Sequence, residues 1–298
     1  MIYILSSFME ERNTLGIITY PAWIASVIKT KYNIPVKLCS AGNFLNVFQE
    51  TKTEKNLVHF RTYNAKDVQK YSNIENNGAI LVNTSEYIHI TNNKLYAQKV
   101  AIAGGIKTAL NYDKIFLNDG NPTSNRYRIE EIMQQLDTDD IVIKPNYSSG
   151  NGSNVWRLKK KELDDFDFNR LTYVDQWTIQ KTLKYSRIIR CIVHGGKVVA
   201  EAVTWDAPLP GGWKCTVCIN PHVKHEKNVD PELIKFVENI AKVTGAGKIG
   251  ICYIDVYETD DGYVYGESNC SCTLEQHEKV TGTPIHELTA DYLVSLYK

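Results

Sequence analysis

The chain has 298 residues, 43% of them hydrophobic, with 34 Lys and Arg balanced against 34 Asp and Glu. That is enough chain for one large domain or two to three small ones, and zero formal charge excludes the electrostatic footprint of a nucleic-acid binder. The opening MIYILSSFMEER is too short in its apolar run and too acidic for a signal peptide, no run of about 18 apolar residues marks a membrane span, and seven cysteines without a signal read as reduced thiols in a cytoplasmic protein.

In chain order, residues 2–5 form a short apolar strand, and 21–32 carry Trp23, Ile24, Val27 and Ile28 at helical spacing. Residues 36–38 and 57–60 read as further strands, 66–71 as a short helix and 79–83 as a buried strand. Strands alternating with helices, and strands that are apolar without interruption, predict a small parallel α/β sheet over roughly residues 1–90. Phe44 and Phe48 read as core.

A helix opens at Lys94 after Thr91-Asn92-Asn93, with Leu95, Val100 and Ala101 on its apolar side and Gly104-Gly105 ending it. A second helix spans 126–136, capped by Ser124 or Asn125, with Ile129, Ile132, Met133 and Leu136 as its stripe. Asp139-Asp140 turns the chain into the strand 141–145 (IVIKP), and a Gly/Ser/Asn run follows to Asn154. A lysine that ends an apolar strand and runs into such a loop suits a polyphosphate. Glycines let backbone N–H groups approach oxygens closely, and the lysine adds a point charge. GxxxxGK[ST] is absent, Gly150-x-Gly152 lacks the third glycine of a dinucleotide fingerprint, and Asp165-Phe166-Asp167 is only superficially like a kinase DFG. An ordinary hairpin loop is the competing reading of this stretch by itself.

Residues 178–183 (TIQKTL) read as a strand or connector, and 188–193 with 197–203 as a hairpin around His194-Gly195-Gly196, which makes His194 a turn residue. Arg190, among apolar neighbours, is either an edge residue or an anion clamp on the sheet face. Residues 208–214 form a loop, Asp230-Pro231 caps a helix over 232–244 that ends at Gly245, and 285–297 is a C-terminal amphipathic helix. Between these helices, 250–269 reads as a β-hairpin turning at Thr259-Asp260-Asp261-Gly262. A three-residue loop, Asp260-Asp261-Gly262, sets Asp255 opposite Glu267 with Asn269 two residues on along the same face; a two-residue Asp261-Gly262 loop would oppose Val256 to Glu267 instead. The first register gathers Cys252, Ile254, Val256, Val264 and Gly266 on one side and the polar trio on the other. Two carboxylates and an amide on one face suit Mg²⁺, which takes hard oxygen ligands and completes its shell with water and substrate phosphates. A solvated face with charges for solubility is the alternative.

Taken together, Lys94, Lys144 before its glycine loop, the 178–183 stretch, Arg190, and Asp255 with Glu267-x-Asn269 occur in an order that resembles the ATP-grasp superfamily. The likeness is greatest to its ribosomal-S6-glutamate-ligase-like branch of carboxylate–amine ligases. The resemblance covers about residues 79–298, including the closing segment 281–288 (TGTPIHEL). It implies an α/β fold: an N-terminal parallel domain over 1–93, then two α+β subdomains, 94–177 and 178–298, that sandwich ATP. Lys94 and Lys144 would contact the phosphates, and Ser148, Ser149, Gly150, Gly152 and Ser153 would close over them. Gln180, Lys181, Thr182 and Leu183 would hold adenine, and Asp255, Glu267 and Asn269 would hold Mg²⁺ or Mn²⁺. Arg190 and Lys144 are the implied catalytic residues, with Arg190 steadying an acyl phosphate. The implied partners are small-molecule or peptide carboxylate and amine substrates, without nucleic acid or membrane; homo-oligomers are frequent among similar proteins.

Several positions depart from that pattern. Lys181 replaces a frequent Glu, Ile188 a frequent acidic residue, and no further Arg stands near residues 203–205. The acceptor end is therefore the unusual one, which keeps open a non-catalytic Mg-ATP-binding module or an ATP-grasp kinase. Cys215, Cys218, His222 and His225 are zinc-ligand types, but their spacing is tighter than the usual Cys₂His₂ pattern. Cys270 and Cys272 read as small residues lining a pocket, with a reactive thiol as the alternative; His277 and Glu278 read as acceptor-pocket residues.

Overall fold

A computed structural model describes residues 1–6, 20–40, 56–60, 68–147, 154–174, 176–206, 223–270 and 274–298. The elements in order are β1 (Ile2–Ser6), α1 (Tyr20–Tyr32), β2 (Val36–Ser40), β3 (Leu57–Phe60), α2 (Val68–Asn76), β4 (Ile80–Val82), α3 (Ser85–Asn92) and α4 (Lys94–Ala103). Then come β5 (Phe116–Leu117), α5 (Pro122–Gln135), β6 (Asp140–Pro145), β7 (Trp156–Lys159), β8 (Gln176–Lys181), β9 (Arg187–His194), β10 (Lys197–Val198), β11 (Ala202–Asp206) and β12 (Lys224–Glu226). The last are α6 (Pro231–Thr244), β13 (Ile251–Thr259), β14 (Gly262–Asn269), α7 (Glu275–Thr281) and α8 (Ile285–Tyr297).

The N-terminal sheet is parallel, in the order β2-β1-β3-β4. Its inner strands β1 and β3 are buried over residues 2–5 and 57–60 because both faces are covered, whereas the edge strand β2 exposes Lys37 and Leu38. Ile2 and Ile4 pack with Ile24 and Ile28 of α1, while Tyr3 and Leu5 enter a second core with Val58 and Leu81. Both cores continue into the C-terminal sheet, and the Asn83 side chain joins the two by accepting from the Ile251 N–H (2.7 Å) and donating to its carbonyl (2.9 Å). The central sheet, β5-β8-β6-β7, has a separate core in which Ile129, Ile132, Met133 and Leu136 meet Ile141, Ile143, Trp177 and Ile179. Alternation along β6 buries Ile141, Ile143 and Pro145 and leaves Val142 and Lys144 on the other face. No helix among the described residues is long and apolar enough to cross a membrane.

The C-terminal sheet is antiparallel, β12-β11-β9-β13-β14, with β10 paired to β9. Helix α6 covers one face: Leu233, Val237, Ile240 and Ala241 pack with Ile189, Cys191, Cys252, Ile254, Val256 and Tyr265. Asp230 caps it through the Glu232 N–H, Pro231 opens it, and Gly245 ends it at φ 94. The opposite face carries Arg190 and Asp255.

Asp255 lies opposite Glu267 and Tyr253 opposite Asn269, as expected, but by a different route. The loop has two residues, Asp260-Asp261, with Thr259 paired to Gly262; a β-bulge then inserts Gly266 and restores the register. The bulge exchanges two side chains: Tyr265, not Val264, joins Val256 on the apolar face. A Cβ at Gly266 would lie 2.8 Å from the Asp255 carbonyl oxygen and 2.9 Å from the Tyr257 ring. Gly266→Ala should therefore cost about 1–3 kcal/mol of stability, read as a lower urea midpoint at unchanged m; an unchanged midpoint would show that the bulge has room for a side chain.

Elsewhere, α5 begins a turn earlier than expected. Asn121, not Ser124 or Asn125, accepts from the N–H groups of Thr123 and Ser124, and Pro122 occupies the first turn. Helix α3, capped by Thr84, stands between β4 and α4, where the sequence predicts no element. His194 is not a turn residue. It ends β9, 5% exposed, stacked on Tyr292 at 5.3 Å, and the turn is left to Gly195 and Gly196 at φ 55 and 82.

Candidate active site

Register alone builds a row across the C-terminal sheet. His225 pairs with Val203, Val203 with Arg190, Arg190 with Asp255 and Asp255 with Glu267. Directly opposed residues share a face, so these five side chains stand in line at strand spacings of about 4.8 Å. Arg190 closes a bidentate pair on Asp255, Nε to Oδ1 and a terminal nitrogen to Oδ2, both 2.7 Å. Its guanidinium also lies 5.0 Å from the Tyr253 ring centroid and 5.3 Å from that of Trp205. Burial pushes the Asp255 carboxyl up while Arg190 pulls it down; Arg190 itself is held further toward its charged form, its burial being outweighed by Asp255. Trp205, where a further Arg is absent, is thus a wall for Arg190.

Glu267 accepts from Asn269 Nδ2 at 2.9 Å, which leaves the Asn269 carbonyl oxygen to act as a ligand. Burial raises the Glu267 carboxyl, but Lys94, the Asn269 bond, Lys144 and Arg190 together bring it below the ordinary range. The structure therefore gathers Lys94 and Lys144, which come from separate elements, around this carboxylate. Lys94 opens α4 and Lys144 lies near the end of β6. Burial lowers both ammonium groups; Lys144 falls to about 8, with Lys94 pushing in the same direction and Glu267 resisting. Neither ammonium has a hydrogen-bond or ion-pair partner among the described residues. Two cations with no fixed counter-ion beyond one carboxylate are arranged for an anion of higher charge.

The 180–183 stretch closes β8 in the central sheet. The Lys181 N–H donates to the Leu110 carbonyl (2.8 Å), the Thr182 N–H to the Asp140 carbonyl (3.0 Å), and the Thr182 hydroxyl to Asp140 Oδ1 (2.7 Å). Lys181 Nζ reaches the Asp137 carbonyl at 3.0 Å. Ser148, Ser149, Gly150, Gly152 and Ser153 lie outside the described residues, as do Phe44, Phe48, Cys215, Cys218, His222 and Cys272. Cys270 is buried, its sulfur 3.3 Å from the Thr91 hydroxyl. Among the described residues there is no group of three or more His, Cys, Asp or Glu placed to hold a metal. An Mg²⁺ site with two carboxylates and an amide would not form such a group, and the Asp255, Glu267 and Asn269 oxygens fit a hard cation chemically. The two oxygens of Asp255 each accept one hydrogen bond from Arg190, so each keeps a lone pair.

Around the far end of the row, His225 Nε2 lies 2.6 Å from Glu201 Oε2, and His277 Nε2 donates to the Glu201 carbonyl at 2.6 Å. His277 stacks on Tyr253 at 5.7 Å, and Glu278 pairs with His286. Burial holds both His194 and His277 down to about 4. The unfolded chain binds these protons near 6.5 and the folded one only near 4, so their stabilisation is complete above about pH 6.5 and is lost on acidification toward 4. Each should contribute up to about 1.4 kcal/mol per pH unit in that window. His194→Phe, which keeps the stack on Tyr292, should flatten the dependence of the urea midpoint between pH 7 and 5; a slope equal to the wild type's would refute the assignment.

A family model of the RimK-like ATP-grasp domain matches residues 114–293. No curated protein matches the sequence. Among solved structures, the ATP-grasp ligase PsnB complexed with a phosphomimetic variant of its minimal precursor, Mg and ADP is similar at 14% identity and TM-score 0.66, over 100% of this chain and 98% of that one. D-cycloserine synthetase DcsG is similar at 11% identity and TM-score 0.67, over 100% and 99%. D-alanine–D-alanine ligase from Bacillus anthracis, complexed with ATP, is similar at 14% and 0.68, over 99% and 96%. These likenesses establish the fold, and the family match extends over more than half of the sequence: the chain has the ATP-grasp fold and belongs to the RimK-like ATP-grasp family.

Proposed function

We propose that the protein is an ATP-dependent carboxylate–amine ligase that joins an acid and an amine through an acyl phosphate, acting in the cytoplasm. The observation that carries this reading is the convergence of Lys94 and Lys144, both half-buried and without partners among the described residues, on the Glu267 end of the Arg190–Asp255 row. A cationic pole for phosphates lies beside an oxygen pole for a divalent metal, and Arg190 follows on the next strand. Residues 1–93, 94–177 and 178–298 are assigned to the N-terminal domain and the two ATP-binding subdomains.

Lys94 and Lys144 take phosphate oxygens and orient the γ-phosphorus; residues 148–153 are assigned to closure over it. Since the N–H groups of Lys181 and Thr182 are already bonded, the Leu183 N–H, without an acceptor among the described residues, is assigned to adenine. Asp255, Glu267 and Asn269 would hold Mg²⁺, or Mn²⁺, which supplies charge neutralisation during phosphoryl transfer. A carboxylate oxygen of the acid attacks the γ-phosphorus and ADP leaves. The amine then attacks the acyl carbon, loses a proton and expels phosphate, with Arg190 positioned to stabilise the developing negative charge. Positioning and electrostatics suffice, so no side-chain nucleophile is required.

The test is phosphate release from Mg²⁺·ATP with a panel of amino acids, small acids and short peptides, each with and without an added amine, and products read by mass spectrometry. Release that requires both partners, with a product of their summed mass less water, supports the ligase. A phosphorylated acid as final product would make the protein a kinase. Trp205 in place of a further Arg favours a non-catalytic nucleotide-binding module as the second reading; nucleotide binding without turnover across the panel would support it.

A further inference from the structure

We propose that Asn146 is a positioning residue for the nucleotide site, fixing the Lys94 helix against the Lys144 strand. This rests on the assignment of both lysines to the phosphates. Asn146 follows β6 two residues after Lys144 and is fully buried. Its carbonyl accepts from the Lys94 N–H at 2.9 Å, and its side-chain Oδ1 accepts from the Leu95 N–H and from the Thr178 hydroxyl, both at 3.0 Å. Its own N–H donates to the Gln176 carbonyl at 3.0 Å, and the next residue, Tyr147, forms a bridge to Asn93.

The first N–H groups of a helix have no acceptor within it. In α4 the side chain of the local cap, Asn93, takes the Tyr96 N–H (2.9 Å) and its carbonyl the Ala97 N–H (2.8 Å). The Lys94 and Leu95 donors go to Asn146, about fifty residues away in sequence, so the start of α4 is set by the end of β6. Thr178 lies opposite Lys144 in the β6–β8 pair, and its hydroxyl secures the same carboxamide from the neighbouring strand. Two half-buried ammonium groups repel and would push the helix and strand apart. A clamp that holds them before the anion arrives removes that reorganisation from the binding step.

The choice of side chain fits this role. Both partners of Oδ1 are donors, which fixes the orientation of the amide, while Nδ2 is buried without a partner among the described residues. Aspartate would satisfy the same two donors without leaving an unpaired N–H, but it would place a carboxylate beside both lysines. An amide gives the acceptor and keeps the site cationic.

The experiment is calorimetric titration of Mg²⁺·ATP into the full chain, as wild type, Asn146→Leu, Thr178→Val and the double variant, each well below its melting temperature. Asn146→Leu is expected to weaken binding tenfold or more and Thr178→Val by less, with the double variant no weaker than Asn146→Leu because Thr178 acts through Asn146. A lowered melting temperature with unchanged affinity would mean that Asn146 is only structural, and the proposal would fall. If Asn146→Leu does not fold, Thr178→Val decides: wild-type affinity overturns the proposal, and weakened affinity supports it. A wild type that does not bind Mg²⁺·ATP overturns the ligase reading itself and this inference with it.

Discussion

Glu267→Gln is expected to remove both turnover and the metal-dependent part of nucleotide binding while leaving the fold intact. The substitution is nearly isosteric, and the new side chain can still accept from Asn269. What disappears is the charge, and with it the counter-ion of Lys94 and Lys144 and one hard oxygen ligand of the proposed metal site. In the wild type, Mg²⁺·ATP at a hundredfold excess over Kd should add about 2.7 kcal/mol of stability by mass action. For a chain of 298 residues that is a rise of roughly 4 °C in Tm. The variant should show little or none of the Mg²⁺-dependent part, and its turnover should fall by about 10²–10³-fold or more. Lys144→Ala should lose turnover similarly. A Glu267→Gln protein with a full Mg²⁺-dependent shift would remove this residue from the metal site.

Arg190→Met should have a large effect in the absence of any ligand. The Arg190–Asp255 pair is buried, and removing one partner leaves the other uncompensated, which typically costs about 3–5 kcal/mol. The contacts with Tyr253 and Trp205 are largely retained by a methionine of similar length, so the loss reports on charge rather than on packing. A divalent cation offers Asp255 a replacement partner. Mg²⁺ with ADP should therefore stabilise Arg190→Met by more degrees than it does the wild type, although its turnover is lost. An equal or smaller gain would mean that Asp255 does not face the metal. Asp255→Asn in the same assay should remove the Mg²⁺-dependent gain in both backgrounds.

The elements that the sequence alone predicted well are those in which local pattern and tertiary burial agree. Helix α6 has its Asp230-Pro231 start, its Leu233, Val237, Ile240 and Ala241 stripe and its Gly245 stop within one continuous segment. The inner parallel strands β1 and β3 are apolar on both faces because both are covered, while the edge strand β2 exposes Lys37 and Leu38. The hairpin was the instructive case. Its pairing of Asp255 with Glu267 followed from gathering the polar residues on one face, yet turn length was the wrong mechanism. A bulge at Gly266, placed where the backbone passes close to the Asp255 carbonyl, does what the longer loop was expected to do. His194 ends a strand rather than entering the turn because the two glycines after it suffice to make the turn. For α5, the Asx acceptor one turn upstream, followed by proline at the first helical position, was the available signal.

By itself, then, the sequence determined the residue types, their order and the alternation that puts Glu267 and Asn269 on one face of their strand, because strand periodicity is a local property; the bulge at Gly266 decided that Asp255 shares that face. Only the tertiary structure decided that Arg190 grips Asp255, that Lys94 and Lys144 face the same carboxylate, and that Trp205 and Tyr253 wall the guanidinium. It also decided that a carboxamide at 146 completes the cap of a helix beginning at 94. Each of these joins segments that are far apart in the chain. Their meeting is set by which apolar faces bury together and by the need of every buried donor for an acceptor, and neither is written in any single stretch of residues.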